Sequence, residues 1–302
     1  MPVRQLRRLG PATGDSLLDQ VRARTFHWAP IWRAEVDATE AKHPELIVRD
    51  ETNILAAVGM PHARLIYGFD SDRAFGARFP AMFEKLLPRL RKSLAAETVR
   101  LRLDYAPARP LVEPILRSLA FEPRRDWIEF SLDRSAKPAL TPVPRGVRFR
   151  PATPEDLDDL LRIDAESFPD SPIDPQSMAN GLARESVLLA ISGGATAGFC
   201  MFAMPNTGEG WISILATRAD QRGAGIGTAL TARACKQLFA GGARRVRLTT
   251  DDDNGGAIRL YVRLGFKQSA AGRDYSRPTD ARAIERMRKQ GDGIVIRFGG
   301  WR

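Results

Sequence analysis

A chain of 302 residues with 43% hydrophobic and 27% charged residues is longer than one core usually holds, so two soluble globular domains are expected. No apolar run nears the roughly 18 residues that span a bilayer, and the start, MPVRQLRRLGPATG, lacks the apolar stretch of a secretory signal. A cytoplasmic chain without a membrane partner is expected. The net charge of +10 comes mostly from scattered arginines, with no basic tail, so no nucleic-acid partner is expected and a polyphosphate ligand accounts for the balance.

Val3 and Leu6 alternate with Arg4, Arg7 and Arg8 as in a short strand. At 99–104, ValArgLeuArgLeuAsp reads as a strand, followed by a helix that ends at ArgSerLeuAlaPheGlu. Residues 135–146 hold three prolines among small residues and read as a semi-rigid linker. GVRFRPA is a short strand. Thr153 then starts a helix as N-cap, with Pro154 at its first position and acids in its first turn. A proline-rich loop, SFPDSPIDPQS, leads to SVLLAIS. The Gly193-Gly194 turn and AGFCMFAM complete a β-hairpin. WISILAT comes next as a strand, a glycine-rich turn opens a helix over 224–239, and Gly241-Gly242 closes it. RRVRLTT is a strand and 256–264 a helix ended by Gly265. The spacing also predicts a helix over 280–290 and a final strand over 293–299.

The two halves echo each other. ValArgLeuArgLeuAsp at 99–104 matches ValArgLeuThrThrAsp at 246–251, and Phe121 and Phe266, each closing a strand–helix stretch, stand 145 residues apart. The chain therefore reads as two copies of one unit, 1–134 and 147–302, joined by the linker at 135–146.

Only Cys200 and Cys235 are present, one in a strand-like and one in a helix-like run, as buried reduced thiols would be. With His27, His43 and His62 off ligand spacing, no metal is expected.

The chemistry concentrates in Arg222-Gly223-Ala224-Gly225-Ile226-Gly227, between a strand and a helix. A helix N-terminus offers backbone N–H donors and a favourable dipole to a pyrophosphate, and glycines let the phosphates approach. A Rossmann turn would follow the first strand and a P-loop would carry a lysine, and neither holds here.

The run ILATRADQRGAGIGTALTARA is similar to motif A of the GCN5-related N-acetyltransferase (GNAT) superfamily, and the run from Asn254 through Tyr261 to Phe266 resembles that family's motif B. The resemblance implies an α/β (α+β) fold: two tandem domains, each a mixed, mostly antiparallel twisted sheet flanked by helices. It implies an acyl-CoA-dependent N-acetyltransferase with acetyl-CoA as cosubstrate. Arg222, Gly223, Ala224, Gly225, Ile226, Gly227 and Thr228 would form the phosphate cradle. The main chain of Leu215, Ala216 and Thr217 would pair with the pantetheine arm, with Asn254 and Ala257 alongside. Tyr261 would be the general acid that protonates the departing thiolate.

For the base the resemblance implies a carboxylate on the fourth strand or a water chain; Glu209, just before WISILAT, is the candidate carboxylate, and Asp251, Asp252 and Asp253 would attract a cationic amine. In the first copy the turn is AspSerAspArgAlaPheGlyAlaArgPhe at 70–79, and Leu116 stands where the second copy has Tyr261. That copy is expected to be degenerate. A small-molecule amine is the expected acceptor. Protein amines stay open, because SerPheProAspSerPro at 167–172 resembles acetyltransferases of protein N-termini, and an acyl-CoA-binding sensor is the alternative outside catalysis. A monomeric pseudo-dimer or a weak homodimer is expected.

Overall fold

The computed structural model describes residues 16–29, 33–59, 62–94, 96–104, 109–136, 143–169, 172–206, 208–280 and 282–285. In chain order the elements are α1 (Leu17–Arg22), β1 (Phe26–Trp28), α2 (Arg33–Lys42), β2 (Ile47–Arg49), β3 (Ile54–Val58), β4 (His62–Phe69), α3 (Asp72–Leu94), β5 (Thr98–Asp104), α4 (Arg109–Ser118) and β6 (Glu122–Asp133). The chain continues with β7 (Val147–Pro151), α5 (Leu157–Ser167), α6 (Pro175–Arg184), β8 (Ser186–Ser192), β9 (Ala195–Asn206), β10 (Glu209–Thr217), α7 (Ile226–Ala240), β11 (Arg245–Asp251), α8 (Gly255–Arg263) and β12 (Lys267–Pro278). The mixed, mostly antiparallel sheet flanked by helices is the architecture expected from the sequence.

Two compact units emerge. The C-terminal unit is Ile128–Ser269, and the N-terminal unit is 16–127 with 270–285. In the C-terminal unit the strand order is β7-β8-β9-β10-β11, followed by the second half of β6. Helices cover both sheet faces. Leu230, Leu238, Tyr261 and Phe266 pack with Ile212 and Phe202 on one side, and Leu160, Ile163 and Met178 pack with Phe199 and Ile214 on the other. Burial of both faces explains why β8 and β9 read as nearly continuous apolar runs. In the N-terminal unit the order is β2-β3-β4-β5, then β12 and the first half of β6, with β1 on β4. Its largest cluster gathers Tyr67, Phe69, Phe75, Phe79, Phe83 and Phe121.

Copies in chain order and units in space are different divisions, because the last long strand of each copy serves both units. Tyr275 and its neighbours on β12 pair antiparallel with β5, from Gly272↔Asp104 to Pro278↔Thr98. Reciprocally, Glu129 on β6 takes both Nε and Nη2 of Arg247 on β11, at 3.0 and 2.7 Å. The matching pair in the other unit is Arg102 on β5 with Asp274 on β12, at 2.8 and 3.0 Å. Glu129 and Asp274 stand 145 residues apart, as Phe121 and Phe266 do, while Arg102 lies two residues beyond Arg100, the counterpart of Arg247 in the strand match. Both units thus hold an arginine–carboxylate pair, each time with the arginine from one copy and the carboxylate from the other. Gly272 allows this fit: a Cβ there would lie 2.3 Å from the Trp127 ring and 2.4 Å from the Leu103 carbonyl.

Three sequence expectations change. The proline-rich loop gives way to a helix, α6, with Asp174 capping it through the Ser177 N–H at 2.9 Å and Pro175 at its first turn. Thr153 and Asp156 form a capping box, but over a 3-10 turn, and α5 begins only at Leu157. The strand after α8 is β12 at 267–278, so the unit does not wait for 293–299 to continue its sheet. The strand placed at 293–299, most of the helix at 280–290 and the strand near Val3 lie outside the described residues. Both thiols are buried, as expected.

Candidate functional site

The site begins as a break in a sheet. β10 and β11 run parallel, and their register covers only Glu209↔Arg245, Gly210↔Val246 and Trp211↔Arg247, at the starts of both strands. From Ile212 onward β10 keeps its partner β9, as far as Thr217↔Gly198. Parallel strands that separate this way leave one edge of β10 facing an opening, and an extended ligand can occupy such an edge. Leu215, Ala216 and Thr217 lie on this stretch, at the open end.

The glycine turn stands at the same end. Gly223 and Gly225 have φ of 79° and 80°, the left-handed region that favours glycine. Gly225 is the N-cap of α7 and brings no capping side chain. The first hydrogen bond of the helix runs from Ala229 N–H to the Gly225 carbonyl at 3.0 Å. The N–H groups of Ile226, Gly227 and Thr228 therefore precede the helical ladder, and the helix dipole favours an anion there. A Cβ on Gly223 would meet nothing, whereas one on Gly227 would press on Leu260 at 3.2 Å, so Gly227 also seats α7 against α8. Arg222 acts as a clamp: its Nε donates to the Thr217 carbonyl at 3.2 Å and its Nη2 to the Glu166 carbonyl at 3.4 Å. That ties the turn to the end of β10.

α8 supplies the other side. Asn254 is its N-cap, accepting from Ala257 N–H at 3.1 Å. Asp251 ends β11, and Asp252 and Asp253 are exposed in the turn after it. Tyr261 is buried, with its ring 5.9 Å from Phe130 and 5.8 Å from Phe266. Burial raises its phenol above the ordinary value, and the Cys200 and Cys235 thiols add to the shift.

Glu209 is placed differently from the rest. It opens β10 at the closed, paired end, eight residues from Thr217 and about 26 Å along the strand at 3.3 Å per residue. Its Oε2 is buried with no hydrogen-bond partner among the described residues. Sequence reasoning missed another carboxylate. Glu185, directly after α6, accepts a short hydrogen bond from the Ser213 hydroxyl on β10. A glutamate between a helix and an apolar strand carries no local signal, because the partner lies 28 residues away. No group of residues that could hold a metal ion occurs among the described residues. No helix among them is long and apolar enough to cross a membrane.

The N-terminal unit has the corresponding opening filled. β4 and β5 are also parallel and also paired only at their starts, His62↔Thr98 to Arg64↔Arg100. Beyond that point the Tyr67 hydroxyl on β4 donates to the Arg102 carbonyl on β5 at 2.8 Å. The Tyr67 ring packs against Phe26 and Phe75 at 5.5 and 5.3 Å. The start of α3 is self-capped, with Ala74 N–H on Ser71 Oγ at 3.0 Å and Arg73 N–H on Asp72 Oδ1 at 2.8 Å. Leu116 is buried.

Residues 155–266 match the model of the acetyltransferase (GNAT) family. A mycothiol acetyltransferase of Actinosynnema mirum is 29% identical over 150 residues, covering 46% of this chain and 50% of that protein. The chain thus spans about half the length of the curated relatives it matches. Among solved structures, a GCN5-related N-acetyltransferase from Sphaerobacter thermophilus aligns with a TM-score of 0.60 at 21% identity, over 75% of this chain and 76% of the other. A tandem GNAT protein from the clavulanic acid biosynthesis pathway aligns with a TM-score of 0.59 at 15% identity, over 78% and 82%. These two likenesses concern the fold.

Proposed function

We propose that this chain, whose segment 155–266 matches the acetyltransferase (GNAT) family model, moves an acetyl group from acetyl-CoA to a primary amine of a small molecule. The observation that carries the reading is the coincidence of the parted β10–β11 pair with the uncapped start of α7. One element offers strand hydrogen bonds to an extended arm, and the other offers N–H donors to a pyrophosphate. The activity named for the Actinosynnema mirum relative favours a small acceptor.

In this reading the N–H groups from Gly223 to Thr228 hold the phosphates, with Arg222 fixing the turn. The main chain of Leu215 to Thr217 pairs with the pantetheine arm, and Asn254 and Ala257 flank it. Acetyl-CoA supplies the activated acetyl group as a cosubstrate. The neutral amine attacks the thioester carbonyl in a ternary complex. Tyr261 donates to the departing sulfur. A free thiol has a pKa of about 8.5 and a phenol about 10, and burial raises the phenol further. Proton transfer from Tyr261 is therefore uphill, and its main effect is a hydrogen bond to the developing thiolate in a dry site. Asp251, Asp252 and Asp253 draw a cationic amine to that end of β11.

Only the C-terminal unit binds the cosubstrate in this reading, because Tyr67 occupies the opening of the N-terminal unit and Ser71 and Asp72 consume its helix donors. Calorimetry with acetyl-CoA and the full chain should give one site per chain. Incubation with acetyl-CoA and an amine library should give an acetyl mass shift on one class of members. Absence of binding sinks the proposal, and two sites per chain sink the assignment of a silent N-terminal unit.

A further inference from the structure

The inference deepens the acetyl-transfer reading and rests on it. It names the group that takes the proton from the amine. An alkylammonium, with a pKa near about 10, cannot attack until that proton leaves.

Ser213 sits at a singular point of β10. Pairing with β11 ends at Trp211, and the register with β9 shifts between Ile212 and Ile214. Side chains alternate along a regular strand, so Ile212 and Ile214 would share a face. Here Ile212 packs with Leu230 and Tyr261, while Ile214 packs with Leu160 and Met178 on the opposite face. A bulge inserts one residue and re-aims the side chains beyond it. Ser213 is that residue, at the point where β10 parts from β11. Its hydroxyl donates to Glu185, which no ion pair engages among the described residues.

We infer that Glu185, acting through the Ser213 hydroxyl, accepts the proton of the amine substrate. The ammonium N–H proton passes to Ser213 Oγ as the Ser213 hydroxyl proton passes to the Glu185 carboxylate. The freed nitrogen lone pair forms the N–C bond to the thioester carbonyl carbon. The C–S bond then breaks, its electron pair leaves on sulfur, and the second nitrogen proton departs to solvent as the amide forms. Tyr261 belongs to the helical layer that packs with Ile212, the residue directly before Ser213 on β10.

The electrostatics agree. Burial pushes the Glu185 carboxyl up to about 7, against the lowering effect of the Ser213 hydrogen bond. A base poised near neutrality is the efficient one. The ionisable group acting with it is the Cys200 thiol of β9, which burial holds neutral. Arg184 at the end of α6 directly precedes Glu185 in the chain, yet burial and the Ser213 hydrogen bond, not a neighbouring charge, set the Glu185 shift. The register of the two parallel pairs, Trp211↔Arg247 and Arg64↔Arg100, makes Ile66 the matching position in the first copy, and it has no hydroxyl to relay a proton.

The test measures kcat/KM against pH with acetyl-CoA and the best amine of the library, alongside acetyl-CoA binding. For E185Q the expected result is a loss of about 10²-fold in kcat with acetyl-CoA binding unchanged, and disappearance of the limb with a midpoint near 7. E185D should restore part of the rate. S213A should lower kcat, and the double variant S213A/E185Q should be little worse than E185Q alone, because the two act as one unit. Retention of rate and limb by E185Q overturns the inference, as does loss of that limb in E209Q but not in E185Q. Failure of the wild-type chain to bind acetyl-CoA overturns the function proposal itself, and the inference with it.

Discussion

β10–β11 and β4–β5 are the same construction built twice. Both are parallel pairs whose register lasts three residues, and both then part. In the C-terminal unit the opening is bordered by a glycine turn, an uncapped helix and the Ser213 bulge. In the N-terminal unit the Tyr67 hydroxyl crosses to the Arg102 carbonyl, and the Tyr67 ring meets Phe75 edge to face, behind which Phe79 and Phe83 stack in series. A parted strand pair must satisfy its exposed backbone groups somehow. In the N-terminal unit the Tyr67 side chain takes up part of that task, and in the proposed function a ligand does so in the C-terminal unit. On that proposal a handful of residues on a common frame separate the two units.

Four substitutions would break or sharpen this comparison, beside a matched control. The largest effect is expected from the exchanged ion pairs. Arg102→Met leaves Asp274 buried without its bidentate partner, and chemical denaturation should show a loss of about 3 kcal/mol. The matching Arg247→Met should lose only about 1 kcal/mol, because Arg247 is 39% exposed. Equal losses would mean that burial does not distinguish the two pairs. Tyr261→Phe should lower kcat by about 10²-fold while the acetyl-CoA dissociation constant stays within experimental scatter. An unchanged kcat would remove Tyr261 from the chemistry.

Glu185→Gln should change stability in a pH-dependent way. A carboxyl whose folded value is raised favours folding less as pH rises from its unfolded value of 4.5 to about 7. The variant should therefore gain on wild type across that window, by about 3 kcal/mol at pH 8. A pH-independent difference in melting temperature would show that the carboxyl is not buried as described. The smallest effect belongs to Tyr67→Phe, which removes one hydrogen bond to the Arg102 carbonyl and should lower stability by about 1 kcal/mol without creating a second acetyl-CoA site. A second calorimetric site in that variant would show that the hydroxyl alone had blocked it.

Much of the C-terminal unit was legible in the sequence because its signals are local. The Gly193-Gly194 turn, the glycines before α7 and Gly265 after α8 each mark an element end through backbone conformation, and φ of 59°, 85°, 79°, 80° and 91° at Gly193, Gly194, Gly223, Gly225 and Gly265 bear that out. α6 was hidden by the prolines at 169, 172 and 175, although Asp174-Pro175 is an N-cap followed by a favourable first residue. β12 was hidden for a different reason. Its alternation of Arg273, Tyr275 and Arg277 with Asp274 and Ser276 carries little apolar signal, because Asp274, Ser276 and Arg273 take the polar partners Arg102, Arg124 and Asp126 on β5 and β6.

Local residue patterns alone set out the frame: two similar halves, one with the glycine turn at 223–227 and Tyr261, the other with Phe75 and Leu116 in their places. Those are statements about residue type and short spacing, and local physical chemistry suffices for them. Only the tertiary structure decided which strand completes which unit, since Arg102 finds Asp274 across 172 residues and Arg247 finds Glu129 across 118. It alone placed Tyr67 across one opening and Glu185 behind the bulge of the other. Pairings at such distances depend on how the sheet closes, and no local pattern encodes that closure.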